Sequence, residues 1–171
     1  GNSLVTDLGI RDAQVGALSG SFAILRYDQA GHGKSGLPPE AIAFDDLGAD
    51  LLAVMDTANI SRAIYIGLSM GVPTGLAAHR IARDRFDAFV FSDGQAKTAA
   101  GGAQGWAERI ADAQAHGMAA FAAKTAERWL VPSTAPALKE RLTDMIAATP
   151  FEGFQRCATA LMDYDYADEL P

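Results

Sequence analysis

Residues 67–71 read Gly67-Leu68-Ser69-Met70-Gly71, a G-x-S-x-G pattern that constrains the fold of this chain more than any other stretch. Before it stands Ala63-Ile64-Tyr65-Ile66, a short apolar run of strand composition, and after it a segment compatible with helix. A serine at such a junction sits on a tight strand-to-helix turn, strained and exposed. Glycine at 67 and 71 keeps the turn open, because a side chain there would crowd the place where the two backbones meet. A helix starting near Met70 aims its first N–H groups and the positive end of its dipole at any negative charge beside Ser69. One motif thus offers a nucleophile and part of the charge stabilisation such a nucleophile needs. The pattern alone is weak, since Gly and Ser are common in loops. Its strand-then-helix setting gives it weight.

The rest of the chain reads as alternating elements. Gly1–Asp7 is polar and turn-rich, residues 12–19 suit a short helix, and Phe22–Asp28 has strand composition. A glycine-dense loop, Gln29-Ala30-Gly31-His32-Gly33-Lys34-Ser35-Gly36, follows. Over residues 44–58, Leu47, Leu51, Val54 and Met55 share one helical face, with Asp45 and Asp46 in the first turn where the dipole favours acids. Strand 63–67, helix 70–83 and strand 86–92 come next, an order that predicts parallel pairing with crossover helices. After Ser92-Asp93-Gly94 the pattern turns Ala-rich and helical over residues 103–130, 134–148 and 151–164, punctuated by Gly117, Pro132 and Pro150. The expected organisation is a core over residues 1–95 and a helical insertion over 96–171, placed as a cap on the mouth of a site.

Bulk properties exclude several partners. At 171 residues the chain is the size of one domain. A net charge of −7 without a basic stripe argues against nucleic acid. No apolar run approaches the ~18–20 residues needed to span a bilayer, and no signal-peptide pattern is present, so no membrane association is expected. The single cysteine, Cys157, excludes an internal disulfide and fits a reducing, cytosolic setting. Its apolar helical surroundings predict a buried, inert thiol.

With these elements in place the chain resembles the α/β-hydrolase superfamily and, within it, the 3-oxoadipate enol-lactonase group. The resemblance runs over essentially the whole chain. It is carried by Asn2-Ser3-Leu4, Leu25-Arg26-Tyr27-Asp28 with Gly31-His32-Gly33-Lys34-Ser35, the elbow at 67–71, Gly105-Trp106-Ala107, Glu127-Arg128-Trp129 and Asp168-Glu169-Leu170-Pro171. It implies an α/β fold with a mostly parallel sheet, truncated here at both ends, and a helical cap. The implied chemistry is hydrolysis of a small lactone in aromatic catabolism by serine, histidine and aspartate, without metal or organic cofactor. Ser69 is then the nucleophile, and the backbone amides of Met70 and Leu4 form the oxyanion hole. The pattern is departed from in three places: Val72 follows Gly71 where a second glycine is usual, Ala30 replaces an arginine, and Ile10-Arg11 stand where an aromatic residue is expected.

A serine hydroxyl needs a histidine to take its proton and a carboxylate to orient that histidine. The chain has only His32, His79 and His116. His32 matches the family's structural loop histidine, His79 lies on the helix after the elbow pointing elsewhere, and His116 is in the insertion. The resemblance therefore places the catalytic histidine and its aspartate after Pro171, and the first strands before Gly1. Asp93 stands where some relatives carry the triad acid, and equally where an Asp-Gly turn would begin. For a substrate carboxylate the candidate partners are Lys97, Arg109 and Arg128. Trp106 lies three residues before Arg109 and so can share its helix face. Trp106 reads either as a lid over a flat ring or as a core residue. Other superfamily esterases and cofactor-free haloperoxidase-like enzymes use the same serine, and a catalytically incomplete or binding-only chain would also keep the elbow. Lacking its outer strands, the 171-residue chain is expected to expose unpaired edges and to self-associate.

Overall fold

The computed structural model describes residues 1–170. A 3₁₀ turn at Leu8–Arg11 leads into α1 (Asp12–Leu18), and α2 (Phe44–Thr57) precedes β1 (Ala63–Leu68). Next come α3 (Gly71–Ile81) and, after a 3₁₀ turn at Arg83–Arg85, β2 (Phe86–Ser92). The helical half comprises α4 (Gly102–Trp129), α5 (Pro136–Ala147) and α6 (Phe151–Ala160), with a last 3₁₀ turn at Ala167–Glu169. No helix of the described residues is long and apolar enough to cross a membrane.

β1 and β2 pair in parallel through α3, with Tyr65 beside Phe89, Ile66 beside Val90 and Leu68 beside Ser92. Side chains alternate between faces along each strand. Tyr65 and Phe89 therefore look toward α2 and α3, where Leu51, Leu52, Met55, Ala78 and Phe86 close a core. α2 starts where the Asp46 carboxylate accepts the Ala43 N–H at 2.8 Å, which satisfies one orphan donor of the first turn. Asp45 pairs with Arg80 on α3 and accepts the Tyr166 hydroxyl at 2.8 Å, so three distant segments meet at one carboxylate.

Residues 22–28, expected as a strand, form none. Residues 23–29 lack regular structure, and on the far edge of β1 only Gly1 makes strand-like contacts, donating to Ile66 O at 2.8 Å and accepting from Leu68 N at 3.2 Å. Strand composition becomes a strand only beside a hydrogen-bonding neighbour, and among the described residues this segment has none. Phe22, Ile24 and Leu25 are accordingly exposed.

The first residues read as an ordinary polar turn but are buried. Thr6 Oγ1 donates to Ser3 O at 2.7 Å and Asn2 Nδ2 to Asp7 O at 3.3 Å, so the polar letters satisfy one another locally. The glycine-dense loop docks on α6. A Cβ on Gly31, whose φ is +77°, would lie 2.7 Å from Gly153 Cα, and one on Gly153 would lie 2.2 Å from Gly31 O. Arg156 donates to Pro38 O, and Cys157, buried as expected, points its thiol at Ala30 O.

In the helical half, α4 packs on both α5 and α6. It bends at Gly117 (φ 80°, ψ 162°), a backbone conformation open almost only to glycine. Phe121, Ala122, Leu142, Ile146, Phe154 and Ala158 extend a core that continues through Met70, Val72 and Leu76 to Leu4 and Val5.

Candidate active site

β1 delivers its last residue, Leu68, to the elbow, and Ser69 then takes φ 52° before α3 begins at Gly71. A non-glycine residue in the left-handed region costs on the order of 1–3 kcal/mol and persists only where its surroundings enforce it. Here they do. The Ser69 N–H donates to Ser92 O at the end of β2 (2.9 Å), and the Ser69 carbonyl accepts from Val72 N (2.9 Å). Residues 70–78 that follow are all buried, so the turn cannot relax without opening the core. The glycines act by close approach: a Cβ on Gly67 would sit 2.7 Å from Gly71 O, and one on Gly71 would sit 2.7 Å from the Gly1 carbonyl.

Because Ser92 takes the Ser69 amide, the next amide is the one left over. Among the described residues no acceptor takes the Met70 N–H, and none takes that of Leu4. Met70 is fully buried at the head of an eleven-residue helix, and Leu4 is 3% exposed in the same core cluster. The turn carrying Leu4 is itself strained, since the β-branched Val5 has φ 57° and is 1% exposed. Two left-handed residues, Val5 and Ser69, thus belong to the two segments that carry the expected oxyanion donors. Such outliers concentrate at functional sites. A third is Asp93 (φ 45°), exposed at the end of β2, next to the Ser92 carbonyl that anchors Ser69.

None of the three histidines hydrogen-bonds to Ser69. His32 is 1% exposed and its Nδ1 lies 3.0 Å from Ala30 O, as a loop-holding histidine should. Burial lowers its pKa, opposed in part by that hydrogen bond and by Asp28. His79 packs edge-on against Phe89 (5.2 Å between ring centroids) with its Nδ1 3.9 Å from Glu169. His116 is exposed and pairs with Asp112 at 3.0 Å.

In the helical half, Arg109 stacks over Trp106 with its guanidinium carbon 4.5 Å from the ring centroid. Trp106 is half-buried against the core that holds Met70 and Val72. Arg109 has no carboxylate within salt-bridge distance among the described residues. Arg128 lies close enough that the Arg109 charge adds to burial in lowering its pKa. Lys97 instead bridges to Asp165 through the backbone. Sequence reasoning missed Gln29 and Thr74, a buried polar pair under the elbow, since no pattern links residues that far apart in the chain.

Residues 10–163 match the family of the alpha/beta hydrolase fold. The chain is 32% identical to 3-oxoadipate enol-lactonase 2 of Acinetobacter baylyi over 99% of its own length and 64% of that protein. Among solved structures, the enol-lactonase from Burkholderia xenovorans LB400 superposes with a TM-score of 0.90 at 34% identity, over 98% of this chain and 65% of that one. A hydrolase from Pseudomonas aeruginosa gives 0.87 at 35% identity, over 96% and 63%. The chain thus spans slightly under two thirds of the length of these relatives. With a strained serine between a parallel strand and a buried helix, and a family match over nearly its whole length, the chain belongs to the α/β-hydrolase fold family.

Proposed function

We propose that the protein hydrolyses a small lactone or carboxylic ester by serine catalysis, with 3-oxoadipate enol-lactone as the favoured substrate. One observation carries the reading: Ser69 is held in a left-handed turn whose own amide is bound by Ser92, while the Met70 amide has no acceptor among the described residues. That is the arrangement an attacking hydroxyl needs. The Ser69 oxygen adds to the substrate carbonyl, and the Met70 and Leu4 amides hold the tetrahedral oxyanion. Each such donor is worth about 10²–10³ in kcat. The ring-opened acyl-serine is then released by water. Because none of His32, His79 and His116 hydrogen-bonds to Ser69, the reading assigns proton transfer to a histidine held by an aspartate. The reading takes both from outside these residues, which span 64% of the relative's length.

Specificity comes from the helical half. The Arg109 guanidinium, stacked on Trp106 with Arg128 nearby, would receive a substrate carboxylate, and Trp106 would cover the lactone ring. No metal or organic cofactor enters these steps, and the partner is a small molecule. The enol-lactonase names of the 32–34% identical relatives support this substrate over a neutral ester.

The test is Ser69→Ala in the complete protein, assayed on the enol-lactone and on a p-nitrophenyl ester. A loss of about 10⁴-fold or more in kcat is expected, together with loss of labelling by a fluorophosphonate. Turnover that survives the substitution overturns the proposal.

A further inference from the structure

Beneath the elbow lies a polar chain that the hydrolytic steps above do not use. Gln29 is 3% exposed and Thr74 is fully buried. The Gln29 Nε2 donates to Thr74 Oγ1 at 3.1 Å, and that hydroxyl donates to the Met70 carbonyl at 3.0 Å. The Thr74 N–H reaches the same carbonyl at 3.3 Å. Met70 is thereby fixed from both sides. Its carbonyl is held by Thr74, and the carbonyl of the preceding peptide, which carries the Met70 N–H, is held by Val72. The Met70 N–H lies in the plane of that preceding peptide, and holding the following one as well fixes the φ and ψ of Met70, the residue where the two planes meet.

A core-filling role does not explain the pair. Valine would occupy the space of Thr74, and leucine or methionine that of Gln29, without placing polar atoms in the core. Gln29 Oε1 is buried and has no hydrogen-bond partner among the described residues, a penalty that an apolar residue would avoid. The glutamine is also firmly rooted. Its loop is tied at Ala30 by the His32 ring and the Cys157 thiol, and at Gly31 by backbone contact with Gly153. A rigid loop is therefore connected, through one hydroxyl, to Met70, the residue before α3 whose amide faces the reacting carbonyl in the proposed mechanism.

We propose that Gln29 and Thr74 are positioning residues for the Met70 oxyanion donor, linking its direction to the glycine-dense loop that Gln29 opens. The inference rests on the serine reading above. A misdirected donor still contributes, so the expected loss is smaller than that of a missing one (about 10²–10³-fold).

The experiment compares Thr74→Val, Thr74→Ser, Gln29→Leu and the Thr74→Val/Gln29→Leu pair in the complete protein. Each is measured for kcat and KM on p-nitrophenyl acetate, for inhibition by an alkyl boronic acid, and for inhibition by a carboxylate product. The boronate forms a tetrahedral serine adduct whose oxygen needs the oxyanion donors, and the product does not. Thr74→Val and Gln29→Leu should each lower kcat about 10-fold and weaken the boronate by the same factor, with KM and product inhibition within about 2-fold of wild type. Thr74→Ser should restore both within about 2-fold, and the pair should be no worse than either alone. Should Thr74→Val not fold, Gln29→Leu gives the same reading with every α3 residue intact. Unchanged boronate inhibition in Gln29→Leu overturns the inference, as does a rise in KM and product inhibition that matches the loss of kcat. If Ser69→Ala retains turnover, the serine reading itself fails. If Ser69→Ala is inactive and the boronate is indifferent to Gln29 and Thr74, only this inference fails.

Discussion

On one face of the β1–β2 pair, Tyr65 is 5% exposed and meets Phe86 and Phe89 edge-on beneath α2 and α3. On the other, Ile64 and Val90 are each 51% exposed. Parallel strands are ordinarily covered on both sides, so the bare side marks apolar surface still open to a neighbour. The helix that follows Ser69 packs into the covered side. Ser69 is strained, and the strain is sustained by the buried residues 70–78, by the Ser92 carbonyl and by the core shared with α4 and α6. Stability and catalytic geometry are thus expected to respond together on one face and hardly at all on the other.

The most forceful way to break this comparison is Phe154→Ala. Phe154 is fully buried, 4.6 Å from the ring of Phe121, at the point where the helical half joins the elbow core. A loss of about 3–5 kcal/mol is expected in denaturant unfolding of the complete protein. A loss under about 1 kcal/mol would mean that the two halves share little packing.

A pH titration sharpens the same comparison with a smaller effect. His32 is buried on the covered side, and burial holds its pKa below the ordinary value of 6.5. The unfolded chain therefore binds a proton there at a pH where the folded chain does not. Stability should be complete above pH 6.5 and decline as pH falls below it toward the folded value. His32→Gln should flatten that decline between pH 7 and pH 5, read as unfolding midpoints at matched ionic strength. An equal slope in both proteins would assign the acid sensitivity to other groups.

The smallest energetic effect belongs to the bare face. Ile64→Thr with Val90→Thr should change stability by no more than about 0.5 kcal/mol per site. In the 171-residue chain, which is expected to self-associate through this surface, the same pair should reduce light scattering. A monodisperse wild-type chain, or a large loss of stability in the pair, would show that the face is already covered.

What could be read from the sequence follows the range of the forces involved. The elbow was legible because a strand-to-helix turn this tight admits glycine at 67 and 71 and little else, and β2 because its apolar run is compact. The Arg109–Trp106 stack followed from helical spacing. Residues 22–28 have the letters of a strand, but pairing depends on a neighbour that local composition cannot supply. Asn2, Ser3 and Thr6 look solvent-exposed in sequence and are buried, because their partners lie within the same few residues. The Gln29–Thr74 bond joins positions 45 residues apart. Only folding reveals it.

The backbone contact between Gly31 and Gly153 has a consequence for how the helical half can diverge. With no side chain between them, neither the loop nor the helix can absorb a shift in the other. A bulkier residue at 153 would lift the glycine-dense loop away, and with it Gln29 and the alignment of the elbow. If the helical half sets which molecules are accepted, as proposed, change there is best tolerated in α4 and α5. The sixth helix, though it looks like one more piece of the canopy, belongs mechanically to the foundation.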